Sequence, residues 1–283
     1  MRARKYLILI IFILALFGPS LFFAYQNNRH KQPAAENTPS TVSVPDISQT
    51  KPALPQQELV KIPAPAGKAV SIPILMYHEV SEGPDCMWVP DKDFYEQMKY
   101  LHDNGYQTIT LSQAIELLAG HYDTSKKVVL TFDDGYLTFY SHAWPVLKEF
   151  NQQATIFVIS KMVGTPEYLT WDQIRFLASN GIEVGGHTRT HPLLPTLSNA
   201  NSNAEIAGGK QDIEAQLGQG ITTFCYPTGR FNTVILQQVK TAGYFAAVTM
   251  EQRKATSTDN LLLLPRWGVY KNDSLERFKE VIK

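Results

Sequence analysis

From Ile72 onward, short apolar runs alternate with longer segments whose apolar residues recur every three or four positions. The first kind predicts buried strands and the second predicts covering helices. "IPILMYHEV" reads as a strand ending near His78. "DKDFYEQMKYLHDNGY" places Phe94, Met98 and Leu101 on one helical face, with an acid at its start and Gly105 at its stop. "TIT" is a short strand, and "LSQAIELLAG" is a helix with Ser112 as N-cap and Gly120 as terminator. "VVLTF" is a strand, and a helix follows over Leu137 to Phe150. "ATIFVIS", "IEVGGHT", "ITTFCYP", "YFAAVTM" and "LPRWGVY" are further strands. Between and after them, "TWDQIRFLASNG", a stretch from Ala200 to Leu217, "VILQQVKTAG" and "SLERFKEVIK" read as helices. This alternation argues for a parallel sheet covered by helices. Seven or eight strands in about 210 residues favour a closed or nearly closed (β/α) barrel.

Ahead of this domain the pattern changes twice. Arg2, Arg4 and Lys5 precede an uncharged run from Tyr6 to Tyr25. As a helix rising about 1.5 Å per residue, that run would reach roughly 30 Å, the thickness of a bilayer core. The basic flank predicts an N-terminus inside and the rest outside. Residues 1–25 are therefore expected to be a transmembrane anchor, or a signal segment if cleaved. Residues 26–71 are polar and carry Pro33, Pro39, Pro45, Pro52, Pro55, Pro63 and Pro65. They read as an extended, disordered linker. The expected location is a single-pass cell-membrane protein with an extracytoplasmic domain over 72–283, or a secreted one after cleavage.

Charge narrows the partners. Lys plus Arg and Asp plus Glu both number 26, so the formal net charge is zero. No dominant basic face exists to attract nucleic acid. Cys86 and Cys225 are too few for a thiolate zinc site or a disulfide framework, and whether they pair stays open.

The candidate chemistry lies at strand ends. "TFDDGY" places Asp133 and Asp134 at the tip of an apolar strand. Alone, it is an ordinary turn. "HTRTH" places His187 and His191 four apart, also at a strand end. Alone, such a pair is an ordinary surface feature. Together on one rim, two histidines and one carboxylate form a three-ligand metal site with an open position. Either acid can supply the ligand; the other would stand beside a bound water and accept its proton.

These two motifs resemble the first two of the polysaccharide deacetylases, the NodB-homology domains of carbohydrate esterase family 4. The resemblance covers about residues 72–283, with the core of the homology over about 126–283. It implies a distorted (β/α) barrel. It implies that Asp133 is the general base and that Asp134, His187 and His191 hold one divalent ion, zinc first, with cobalt or nickel as alternatives. The family's third motif runs Arg-x-Pro-aromatic-Gly. Here "CYPTG" keeps Pro227 and Gly229 but has Cys225 and Thr228 in place of Arg and the aromatic. The Thr228 N–H is the candidate oxyanion donor, since that role needs no particular side chain. Tyr226 and Arg266 are further candidate contacts to substrate, and Arg266 is also a candidate substitute for the missing arginine that orients the base. The family's closing Leu-x-His is absent, because no histidine follows His191. The reaction needs an acid for the leaving amine, and His78 is the candidate. That placement resembles the extracellular poly-N-acetylglucosamine deacetylases, in which the histidine-bearing strand comes first. The expected function is metal-dependent N-deacetylation of N-acetylglucosamine units, poly-N-acetylglucosamine favoured. Peptidoglycan is the alternative substrate, and a non-catalytic carbohydrate-binding relic is the alternative class. His102, His121 and His142 have no partner pattern and are read as structural or surface residues.

Overall fold

The computed structural model describes residues 61–65 and 70–283. The expected anchor over 1–25 and most of the linker lie outside them. Among the described residues, no helix is long and apolar enough to cross a membrane.

One parallel sheet of eight strands organises the domain. In chain order these are β1 (Ile74–Tyr77), β2 (Gln107–Ile109), β3 (Lys127–Phe132), β4 (Thr155–Val158), β5 (Glu183–Gly186), β6 (Thr223–Cys225), β7 (Ala246–Val248) and β8 (Trp267–Gly268). Their spatial order is β7-β6-β5-β4-β3-β1-β8. Val129 pairs with Ile74 of β1 and with Ile109 of β2, so β2 lies on the edge of β3 away from β1. On that same edge β4 takes Thr131 and Phe132. The helices are α1 (Asp91–Asp103), α2 (Leu111–Ala119), α3 (Trp144–Glu149), α4 (Trp171–Ser179), α5 (Asn199–Leu217), α6 (Thr233–Thr241) and α7 (Leu275–Ile282).

Strand alternation sends neighbouring residues to opposite faces, which produces two cores. Leu75, Tyr77, Val128, Leu130, Ile156 and Val158 face outward into the larger cluster, under the covering helices. Ile74, Val129, Phe157, Cys225 and Val248 face inward. Leu111, Ala114, Leu117 and Leu118 of α2 complete the inner cluster. Because β2 ends level with Val129, α2 starts beneath β4, and the Leu111 N–H donates to Thr155 Oγ1 at 3.0 Å. Helix α2 thus plugs the concave side at the strand starts. Each fully buried leucine there contributes roughly 2 kcal/mol by area removed from water.

The expected barrel appears as a curled half-barrel whose edges meet in one strap, 264–268. The Leu264 N–H donates to Ala247 O of β7 at 2.8 Å, and Trp267 pairs with Leu75 of β1.

Two local expectations need correction, and one open point is answered. Thr110, not Ser112, caps α2, in a reciprocal capping box with Gln113. The Ser112 hydroxyl instead donates to Glu183 Oε1 at 2.5 Å. The helix expected over 137–150 is a π-helical turn, Phe139–Ala143, leading into α3. Pro145, in the first turn of α3, has no N–H to continue the ladder and crowds the preceding turn, which widens it. Cys86 and Cys225 are both free thiols, one exposed and one buried.

Candidate active site

Strand β3 aims inward at every second residue, and Thr131 and Asp133 continue the inner series begun by Val129. The Asp133 N–H still belongs to the ladder, donating to Tyr77 O at 2.9 Å. By the same alternation Asp134 would point outward. Its φ of 71° reverses the chain, with Gly135 following at 79°. Aspartate tolerates this left-handed conformation better than most residues. Both acids end up buried, Asp133 at 4% and Asp134 at 3% exposure.

Strand β5 delivers His187, whose N–H donates to Val158 O at 3.0 Å. The chain then turns through Thr188 at φ 65° and His191 at φ 59°, and the His191 N–H donates to Thr188 Oγ1 at 3.0 Å. This turn brings both rings to one carboxylate. Asp134 Oδ1 lies 3.4 Å from His187 Nε2 and 3.6 Å from His191 Nε2.

These three atoms fit a metal ion. Ligand atoms about 2.1 Å from one tetrahedral zinc stand roughly 3.4 Å apart. His187 Nδ1 is 2.8 Å from Cys225 O. A carbonyl can only accept, so Nδ1 carries a proton, and Nε2 is the ring nitrogen turned toward Asp134 and open to a ligand role. Asp134 Oδ1 is buried and has no hydrogen-bond partner. A ring nitrogen facing an orphaned, buried carboxylate oxygen calls for positive charge between them, and a metal ion supplies it to both imidazoles at once.

Electrostatics agree. Burial pushes His191 down to about 4, aided by His187, so its ring is neutral at pH 7 and free to ligate. Burial raises the Asp134 carboxyl, but the His187 and His191 rings outweigh it and hold the carboxyl well below its usual range. With no cation present, His187 is opposed by burial yet raised well above the usual imidazole value by Cys225 and the two carboxylates. Of those, the carboxylates matter, because burial raises the Cys225 thiol and keeps it neutral. The pocket favours positive charge at that spot.

Asp133 is held separately. Arg266 Nη1 and Nη2 donate to Asp133 Oδ1 and Oδ2 at 2.7 and 2.8 Å. Nη1 also donates to Thr131 Oγ1, Nη2 to Cys225 Sγ, and Nε to Thr249 O. These contacts use every N–H of the guanidinium. Burial disfavours the Asp133 carboxylate, but the Arg266 charge and hydrogen bonds prevail and lower its pKa. Cys225 Sγ lies 3.4 Å from Asp133 Oδ2 and can donate to it. Cys225 thus touches Asp133 from the position where the resembled motif carries arginine, and Arg266 reaches the same carboxylate from the 264–268 strap. Arg266 is fully buried, so its candidacy as a substrate contact is corrected to that of a positioning residue.

His78 lies just past β1, with Nε2 3.9 Å from Asp133 Oδ2, too long for a direct hydrogen bond. Burial lowers its pKa, and Asp133 offsets that in part. Thr228, at φ 58°, follows β6 by three residues, on the turn whose Cys225 carbonyl holds His187. Tyr226 is corrected as a candidate sugar contact. Its ring is 1% exposed and packs against Phe224 and Phe231, at 5.2 and 5.3 Å between centroids. Sequence reasoning missed Thr131 and Thr249 as supports of Arg266; without the fold, a threonine within β3 and one just past β7 are unremarkable. Among the other histidines, His142 Nδ1 meets Asp91 Oδ1 on the surface at 2.8 Å.

Fold and site together define a class: a curled-sheet α/β enzyme with two buried carboxylates and a cluster of imidazoles at its C-terminal rim. The family profile described as Polysaccharide deacetylase matches residues 121–247. The Bacillus subtilis (strain 168) protein YxkH is 40% identical over 200 residues, 70% of this chain and 71% of that one. The Streptococcus pyogenes deacetylase PplD, solved in complex with acetate, superposes with a TM-score of 0.72 at 30% identity, covering 76% of this chain and all of that one. The Escherichia coli (strain K12) poly-beta-1,6-N-acetyl-D-glucosamine N-deacetylase is 28% identical over 66% of this chain, which spans only 34% of that longer protein. The chain belongs to the polysaccharide deacetylase family, hydrolases of carbohydrate N-acetyl amide bonds.

Proposed function

We propose that this chain is a divalent-metal-dependent deacetylase of N-acetylglucosamine units in an extracytoplasmic polysaccharide, with poly-N-acetylglucosamine as the favoured substrate. The observation that carries this reading is the orphaned Asp134 Oδ1 between two imidazoles, beside an aspartate tethered separately by Arg266. Asp134, His187 and His191 would hold the ion. When bound, it supplies Lewis acidity, making water a better nucleophile near neutral pH and polarising the acetamide carbonyl. Nitrogen-rich donor sets of this kind suit zinc, and also cobalt or nickel.

The chain's own residues do the rest. Asp133, ionised and fixed by Arg266, accepts the proton from the attacking water. The water oxygen bonds to the acetamide carbon while the carbonyl π-pair moves onto oxygen, and the return of that pair breaks the C–N bond. The Thr228 N–H donates to the developing oxyanion. His78 gives a proton to the departing nitrogen; its depressed pKa makes the protonated ring a stronger acid. The products are acetate and a glucosamine unit.

Poly-N-acetylglucosamine is favoured by the name of the Escherichia coli relative and by the position of His78 ahead of the first motif. Peptidoglycan is the alternative. A non-catalytic sugar-binding protein would have no use for the tethered base. We place the domain outside the cytoplasmic membrane, held by an anchor over residues 1–25 or released after cleavage. The test measures acetate release from both polymers by the full chain, after chelation and after reloading with zinc, cobalt or nickel. Release that is lost with chelator, restored by metal and faster on poly-N-acetylglucosamine supports the reading. No release under any loading favours the binding protein.

A further inference from the structure

His191 presents a problem of placement. His187 is fixed by the β5 ladder, but His191 stands beyond it, on a turn with two non-glycine residues at positive φ. Such backbone is strained and persists only when its surroundings hold it. Those surroundings are on α5. Glu205 Oε2 accepts from the Arg189 N–H at 3.0 Å and from the Thr190 N–H at 2.9 Å. Its Oε1 accepts from Thr190 Oγ1 at 2.8 Å. One turn along, Gly209 lets the helix touch the loop: a Cβ there would stand 2.8 Å from the Thr188 carbonyl carbon. A further turn along, Asp212 accepts from Arg189 Nε and Nη2, each at 2.9 Å. Residues 205, 209 and 212 share one helical face.

The opposite side of the loop is pinned to the segment after β4. The Ser160 N–H donates to Thr188 O at 3.2 Å and the Lys161 N–H to Arg189 O at 3.0 Å. Ser160 Oγ donates to Asp212 Oδ2 at 2.9 Å, tying the two supports together. Adjacent glycines within a helix are unfavourable relative to alanine. Gly208 and Gly209 are both buried against this loop, where Gly208 faces the Arg189 side chain.

We infer that the Glu205–Gly209–Asp212 face of α5 positions the metal ligands, holding the 187–191 loop in the strained shape that sets His191 against Asp134 and His187. This rests on the metal-binding reading above. These are positioning residues; none faces the reacting atoms.

The test is zinc affinity of the full chain, measured by competition with a chromophoric chelator, together with the thermal midpoint of the metal-free protein. Glu205→Ala is expected to raise the zinc dissociation constant about 10- to 100-fold, the usual effect of losing an outer support. Its metal-free midpoint should move little. Glu205→Gln keeps one acceptor oxygen for both N–H groups and should recover most of the affinity. Gly209→Ala, which pushes on the Thr188 carbonyl without removing a charge, should weaken zinc binding in the same direction. Unchanged affinity in Glu205→Ala and Gly209→Ala, with or without a lower midpoint, overturns the inference and leaves a purely structural helix contact. A wild-type chain that binds no zinc, cobalt or nickel overturns the metal-binding reading, and the inference with it. Wild-type binding with unaltered variants overturns the inference alone.

Discussion

Asp134 stands where strand alternation would turn its side chain away from the mouth. One left-handed residue reverses that, and two adjacent acids come to face one centre with different partners. Asp133 is bound by a guanidinium, and Asp134 faces two imidazoles. Their replacements should therefore differ. Asp133→Asn is expected to keep zinc and lose about 100-fold or more in turnover. Asp134→Asn should lose both, read by metal content after dialysis and by acetate release. Asp133→Asn also leaves the Arg266 charge buried and unpaired, so its stability should fall by about 3–5 kcal/mol. Arg266→Met tests the tether from the other side. Arg266 depresses the Asp133 pKa, so its removal lets that pKa rise. The pair contributes stability above the ordinary carboxylate pKa, about 4, and loses it as pH falls through the folded value. In Arg266→Met the acidic limb of the pH–activity profile should shift upward, with lower turnover throughout. An unmoved limb would show that Arg266 does not set the charge of the base.

At the scale of elements, α2 is positioned by chemistry that its own segment does not announce. Its cap is Thr110, and Ser112 joins Thr155 and Thr223 in donating to the Glu183 carboxylate at the start of β5. Four residues later the same strand delivers His187, roughly 13 Å away at strand rise. Glu183→Ala strands several hydroxyl donors and should cost about 3 kcal/mol by urea unfolding. Thr110→Ala removes one cap and should cost about 1 kcal/mol. Neither should change zinc affinity, because both lie at the strand starts, away from the rim. Strand and helix identities were legible from apolar periodicity. The capping hydroxyl was not, since Thr110 and Ser112 are both good caps and only the register of β2 against β3 chooses between them.

Over the whole molecule, the half-barrel keeps its interior dry at one end with α2 and leaves the other end polar. The 264–268 strap joins both sheet edges and carries Arg266 into the centre. A cation that binds only the folded site should stabilise this assembly. At 100 times its dissociation constant, the gain is about 2.7 kcal/mol. Chelation should lower the thermal midpoint of the wild type by calorimetry and leave that of Asp134→Asn unchanged. An equal midpoint for wild type with and without metal would argue against binding at this centre.

The sequence alone determined the order of strands and helices, the rim on which the chemistry falls, and the pairing of "TFDDGY" with "HTRTH". Those features are local: periodicity and short motifs record which residues face a core and which end a strand. The fold alone shows that Arg266 grips Asp133, that Tyr226 is core, that Cys225 touches Asp133, and that Glu205 and Asp212 brace the histidine loop. Each of those contacts joins residues from separate elements. Their geometry depends on sheet curl, strand register and one left-handed aspartate, and no short stretch of sequence encodes these alone.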